Sequence, residues 1–392
     1  MTAMRTAAAD NAVAFYVDRH VAEGRAARPA LRQDGAAWTY GELHERVGQA
    51  GAALRAAGAG HGDRVLVVLP DSLAAAAVLL GAMRVGAIPA PVHARLSEEE
   101  YAFLCADARP RIAVATGEHV ERLLAIRADS GWPQAILAVD PRSAAPTLRP
   151  VAHVHDADAS DAAPHDRPVT PDDAALLQYT SGSTGRPKAV VHLHRGLLAL
   201  PDGFGRRLAL TEHDVCFSSA KLSFGYGFGN SLLFPLAAGA SAHLRAEPSE
   251  PLAILETIAR ARPTVFFAGP ALYAALLAVH ASTDDPFDVS GVRLWVSAGE
   301  ALPASLFERW QAAFAQPILD GLGSTECLHV YVSGEPPDLR PGELGTAVPP
   351  YEVQLLDERG APVEPGEPGH VHVRGPANGA RYWERPSATE GR

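Results

Sequence analysis

Short, continuously apolar runs alternate along the chain with stretches of helical length. RVLVVLP (64–70) reads as a buried strand, and SLAAAAVLLGAMRVG (72–86) as the helix after it, with Asp71 or Ser72 as cap and Gly86 at its end. LSEEEYAFLCADA (96–108) predicts a second helix, with its acidic residues in the first turn, where the helix dipole favours them. RIAVAT (111–116) is the next strand. The alternation returns further on: helix 251–263, strand 264–269, helix 270–280, strand 292–299, helix 303–314, and then PILDGLGSTE (317–326), a short strand running into a Gly-rich loop. The pattern predicts an α/β chain with two helix-covered, mostly parallel sheets.

Two segments break the pattern. Residues 141–171 are rich in Pro, Ala, Asp and His without periodicity, and read as a surface connection. From Gly342 the texture changes: YEVQLLDERGAPV carries a hairpin-like turn at Asp357–Gly360, and HVHVRG (370–375) alternates with period two. A small antiparallel β unit is expected there. The expected units are a first α/β subdomain over 1–170, a second over 171–341 and the small β subdomain over 342–392.

Composition narrows the class. With 392 residues, 47% apolar and 20% charged, the chain is globular and long enough for two or three units of about 150 residues. A net charge of −11 argues against a nucleic-acid partner, which needs clustered Lys and Arg. Cys105, Cys216 and Cys327 are far apart and form no CxxC, which fits a reducing compartment. The first residues lack an apolar run long enough for a signal peptide, and nothing approaches the ~20 apolar residues of a membrane span. A cytoplasmic location is expected. A homodimer is compatible with a sequence that fixes no oligomeric state.

Candidate chemistry concentrates in YTSGSTGRPKAV (179–190), which lies between the strand-like runs AALLQ and VVHLH. Gly182 and Gly185 permit positive φ. The hydroxyls of Thr180, Ser181, Ser183 and Thr184, with neighbouring backbone N–H groups, can donate to phosphate oxygens, and Lys188 adds a mobile positive charge. The Walker arrangement is excluded, because Lys188 does not directly follow the Gly and no Ser or Thr follows it. A serine-hydrolase elbow would require Gly two positions before Ser183.

This stretch resembles the phosphate-binding loop of the acyl-adenylate-forming enzymes, which include acyl-CoA ligases, luciferases and peptide-synthetase adenylation domains. SAGEALP (297–303) resembles their adenine-stacking segment, and DGLGSTE (320–326) the segment that holds adenine, phosphate and metal. The resemblance runs from about residue 30 to the end of the chain. It implies that Thr180, Ser181, Gly182, Ser183, Thr184, Gly185 and Lys188 hold phosphates. It places Gly299, Glu300, Ala301, Asp320, Gly321, Leu322 and Thr325 on the nucleotide, and gives Mg²⁺ to Glu326. Thr184, Lys188 and Glu326 become the catalytic candidates. In the implied first step a carboxylate attacks the α-phosphate of ATP. Each unit of like-charge repulsion at ~4 Å costs about 4 kcal/mol at an effective dielectric of ~20. That is roughly a thousandfold in rate, which cations and donors must offset.

KLSFGYGFGNSLLFPLAAGA (221–240) resembles the acid pocket of benzoate-CoA ligases and related aryl-CoA ligases. The resemblance makes Phe224, Gly225, Tyr226, Ala298, Gly299, Gly323, His329 and Val330 the pocket lining. Gly225 stands where that branch often carries Ala, so a slot widened for an amino or hydroxyl substituent, as in anthranilate, is expected. His329 either bonds such a substituent or merely packs beside the loop. His192 and His194 have the HxH spacing of a metal pair, with no third ligand apparent. The implied function is conversion of an aromatic acid to aryl-AMP and then to its coenzyme A thioester. Alternatives are transfer to a carrier protein, a non-catalytic aryl-nucleotide binding module and, remotely, a serine hydrolase. The sequence ends at ARYWERPSATEGR, where the family runs on into a further domain carrying a catalytic Lys. The polypeptide alone is therefore expected to bind ATP, arylate and aryl-AMP but to adenylate poorly.

Overall fold

The computed structural model describes residues 11–33, 35–140, 147–152, 167–180, 186–283 and 287–390. Along the first part of the chain the strands are β1 Pro29–Gln33, β2 Ala36–Thr39, β3 Arg64–Val68, β4 Ile88–Pro91, β5 Ile112–Ala115, β6 Ala135–Ala138, β7 Arg149–Ala152, β8 Ala174–Thr180 and β9 Lys188–Leu193. They continue as β10 Val215–Ser218, β11 Ser241–His243, β12 Val265–Ala268, β13 Leu294–Ala298, β14 Ile318–Gly323, β15 Val330–Ser333, β16 Thr346–Ala347, β17 Glu352–Leu356, β18 His370–Arg374 and β19 Arg381–Tyr382.

These strands form four sheets. One has the order β4-β3-β5-β6-β7, parallel except for the antiparallel edge β7. The largest has the order β16-β15-β14-β13-β12-β10-β11-β1-β2, with a parallel centre and antiparallel edges. β19, β9 and β8 make a small antiparallel sheet, and β17 pairs with β18. The sheets do not follow chain order. β1 and β2, within the unit expected over 1–170, belong to the same sheet as β10 to β16, because Leu31 pairs with Ala242.

Local sequence explains most elements. The helix Leu73–Arg84 opens on Ser72, whose hydroxyl accepts from the Ala75 amide at 3.1 Å. Residues 73–83 of this helix are buried all round, which is why it shows apolar residues on every face. It crosses the helix Tyr40–Ala56 closely, since a Cβ on Gly81 would sit 2.8 Å from the Gly51 nitrogen. The helix Glu98–Ala108 starts with a reciprocal Ser97–Glu100 capping box. The antiparallel unit expected near the end of the chain is β17 with β18.

One expectation needs correction. The stretch 141–171 contains β7, antiparallel to β6, rather than connection throughout. An edge strand of four residues with Pro150 in it shows no alternation, because it is paired on one side only. Residues 141–146 and 153–166 lie outside the described residues.

Candidate active site

In parallel sheets, ligands gather beyond the carboxyl ends of the strands, and this chain places its motifs there. β10 ends at Ser218 just before the 221–240 stretch, β13 ends at Ala298, next to Gly299, and β14 ends at Gly323. The register sets Ser297 opposite Asp320 and Ala298 opposite Gly321, so SAGEALP and DGLGSTE lie side by side.

Two of the phosphate-loop candidates lie on paired antiparallel strands. Thr180 at the end of β8 faces Lys188 at the start of β9. Ser181, Gly182, Ser183, Thr184 and Gly185 lie outside the described residues. The Lys188 ammonium stands 5.5 Å from the centre of the Tyr382 ring. The Tyr382 hydroxyl donates to Oε1 of Glu326 at 2.7 Å.

A cavity of about 200 Å³ is lined in part by Tyr179 and Thr325, chain neighbours of Thr180 and Glu326. Phe224, Gly225, Tyr226, Ala298, Gly299, Gly323, Thr325, His329 and Val330 all line it, so every expected acid-pocket residue is brought together. Tyr179, Ser324 and Leu328 complete the wall. The helix Gly225–Phe228 carries Gly225 and Tyr226 into this wall from its first turn. The slot is not widened at Gly225, however. A Cβ there would lie 2.5 Å from the Leu328 carbonyl oxygen, so the backbone of the 327–330 turn occupies the room that glycine leaves. Leu328 takes φ +63°, a conformation that bulky residues avoid and that recurs at ligand sites.

His329 is buried in this wall. Its ring lies 5.3 Å from Phe204, 5.2 Å from Tyr226 and 4.6 Å from Phe234. Its Nε2 meets Oδ1 of Asn230 at 3.0 Å. With an amide oxygen as partner, Nε2 carries the proton and donates. Desolvation pushes the imidazole down to about 3, so it is neutral at physiological pH. Asn230 had no signal in the sequence, because its relation to His329 spans 99 residues.

Two of the nucleotide candidates, Ala301 and Asp320, line a second hollow, while Gly299 and Thr325 line the first. The second has a volume of about 150 Å³ and is also lined by Leu302, Phe307 and Leu339. Burial raises the Asp320 carboxyl above its ordinary value, and its Oδ2 accepts from the Leu302 amide at 3.3 Å. Gly299 adopts φ +96°, and Glu300 beside it is exposed. Gly321 and Leu322 belong to β14, whose Leu322 pairs with Val332. A third, larger cavity of about 550 Å³, lined by His93, Arg95 and Lys221, shares Phe224, Tyr226, Ala298 and Gly299 with the aryl cavity.

His192 and His194 are not a metal pair. His192 donates from Nε2 to the Thr325 carbonyl at 2.9 Å, while His194 Nδ1 accepts from the Ala12 amide at 3.1 Å. No cluster of three or more His, Cys, Asp or Glu suited to a metal occurs among the described residues. A single carboxylate such as Glu326 fits the way Mg²⁺ is usually held, by one or two carboxylates together with substrate phosphates. No helix among the described residues is long and apolar enough to cross a membrane.

The chain is similar to the benzoate–CoA ligase of Thauera aromatica, at 36% identity over 97% of this chain and 71% of that one. Among solved structures, an anthranilate CoA ligase in complex with anthranoyl-AMP superposes with a TM-score of 0.88 at 31% identity, covering 100% of this chain and 74% of the other. A benzoate CoA ligase from Burkholderia xenovorans gives 0.83 at 32% identity over 97% and 74%. The AMP-binding enzyme model matches residues 18–383, and the chain belongs to that family.

Proposed function

We propose that the chain activates a single-ring aromatic acid with ATP, giving aryl-AMP and then an aryl thioester of coenzyme A. The observation that carries this reading is the small, mostly apolar cavity whose lining includes Thr325, the residue before Glu326, and Tyr179, the residue before Thr180, which pairs with Lys188. A dry cavity of about 150 Å³ takes up benzene. The ≈ 200 Å³ here is enough for one substituted ring. The names of the similar proteins, benzoate and anthranilate ligases, agree with that size.

The arrangement supports a direct mechanism. The ring enters between Tyr226 and the Ala298–Gly299 backbone, with its carboxylate toward Thr325 and the β8–β9 strand pair. A carboxylate oxygen bonds to the α-phosphorus as the bond to pyrophosphate breaks. Lys188 offsets the charge that gathers on the phosphates. Glu326 would hold Mg²⁺, which supplies further charge neutralisation when bound. In the second step the thiol sulfur bonds to the acyl carbon and AMP departs. The larger cavity that shares Phe224 and has Arg95 and Lys221 in its lining offers an approach for an extended thiol. A neutral His329, held from behind by Asn230, joins Tyr179, Ser324 and Thr325 among the polar side chains of the wall. His329 is our candidate for recognising an amino or hydroxyl substituent.

Calorimetric titration tests the reading. Benzoate and 2-amino- or hydroxybenzoates should bind in the presence of ATP at least tenfold more tightly than hexanoate, and Lys188→Ala should weaken ATP binding by roughly tenfold or more. Equal affinity for the aliphatic acid, or ATP binding indifferent to Lys188, would reject it. Thioester assays with coenzyme A and with a phosphopantetheinyl carrier protein decide the acceptor.

A further inference from the structure

We propose that Tyr382 is a positioning residue that presets the Glu326 carboxylate for the metal–nucleotide complex and keeps it apart from Lys188. The inference rests on the function proposed above and concerns a residue with no counterpart among the three motifs.

Tyr382 lies on β19, which pairs antiparallel with β9, so that Tyr382 stands opposite Val190, two residues beyond Lys188. The strand is held tightly there. Ala380 and Trp383 donate backbone N–H groups to Val191 and Ala189 at 2.8 Å each. A Cβ on Gly379 would lie 2.3 Å from a Val190 methyl group, so only glycine allows this approach. The same short segment grips Glu326 twice. The Gly379 amide donates to its carbonyl at 2.6 Å, and the Tyr382 hydroxyl donates to its Oε1 at 2.7 Å. The Lys188 ammonium lies over the Tyr382 ring.

The chemistry of the side chain suits this place. A phenol orients a carboxylate without neutralising it, whereas Lys or Arg in its position would form an ion pair and cancel the charge that a cation needs. Partners one layer behind a metal ligand typically change metal affinity 10–100-fold. The ring face attracts the Lys188 ammonium at the same time. One side chain therefore holds a cationic group and an anionic group in separate places, so that neither is spent on the other before the nucleotide arrives.

The test uses the full chain and three binding measurements: ATP without metal, Mn²⁺ in the presence of ATP by electron paramagnetic resonance, and a non-hydrolysable benzoyl-adenylate analogue. Tyr382→Phe removes the hydroxyl and keeps the ring. It should weaken Mn²⁺ binding about tenfold or more while leaving metal-free ATP and the analogue within about twofold. Tyr382→Leu removes the ring as well, and should also weaken metal-free ATP. Thermal melting of both variants within a few degrees of the parent shows that the fold persists. Unchanged Mn²⁺ affinity in Tyr382→Phe overturns the proposal while the function stands, provided the analogue binds. An equal loss of all three affinities also overturns it, because it would mark a merely structural role. If the parent chain binds neither ATP nor the analogue, the proposed function falls and this inference with it.

Discussion

At Gly225 a single methyl group decides the shape of the acid slot. Its Cβ would meet the Leu328 carbonyl oxygen at 2.5 Å, a backbone atom that cannot rotate away. Gly225→Ala is therefore expected to push the 327–330 turn outward. Overpacking of this kind costs about 1–3 kcal/mol. Denaturant unfolding should show a lower midpoint, and calorimetry a weaker affinity for every arylate rather than a preference for unsubstituted rings. A variant that simply favoured benzoate would mean that Gly225 does widen the slot. His329 makes a related point, since its hydrogen bond to Asn230 fixes which nitrogen holds the proton and burial keeps the ring uncharged. The polar recognition available in the wall is thus dipolar, which suits a neutral ring substituent better than a second carboxylate.

The strap from Gly379 to Glu390 acts as an element because it is tied at several points. β19 pairs with β9, and the indole of Trp383 donates to the Asp107 carbonyl at 3.2 Å. The Asp107 carboxylate accepts from Tyr179 at 2.9 Å and from Arg385 at 2.5 Å. Asp107 sits at the end of the helix Glu98–Ala108, so the strap is bound to the five-stranded sheet's helical layer as well as to β9. Asp107→Ala leaves the Tyr179 hydroxyl and part of the Arg385 guanidinium without their acceptor. Because Arg385 is half open to solvent, the loss should be modest, about 1–3 kcal/mol. Limited proteolysis should then cut near Arg385 faster than in the parent chain, while a variant as resistant as the parent would show that β19 alone secures the strap.

Across the whole molecule, buried histidines set the response to acid. Desolvation lowers His329 from the usual 6.5 to about 3, and burial lowers His20 and His194 to about 4. The unfolded chain binds protons at these sites before the folded chain does, so their stabilising contribution is complete above pH 6.5 and is lost as pH falls toward 4. Asp71 works in the opposite direction, since burial raises it to about 6 and the folded state takes up its proton first. Three imidazoles outweigh one carboxyl: near pH 5 unfolding should take up about two protons net from these four groups. The melting temperature should drop steadily between pH 6.5 and 4. A melting temperature flat across that range would mean that these histidines are solvated in the folded chain.

The strands and helices over 64–116 and 251–326, a helix cap at Asp71 or Ser72 and the three motifs could be read from the sequence. Each depends on neighbours within a few residues, where hydrophobic period, capping chemistry and glycine spacing act directly. Most of the residues that line the cavity of about 200 Å³ were brought forward too, through the resemblance to the aryl-CoA ligases. What the sequence left open was which distant segments touch. The pairing of Leu31 with Ala242, the support of His329 by Asn230, the closure of Leu328 on Gly225 and the hold of Tyr382 on Glu326 all join residues far apart in the chain. Such contacts arise when sheets stack and strands choose their neighbours. That choice reflects the total apolar surface buried and the backbone groups satisfied across the molecule, a sum that no local stretch of residues contains.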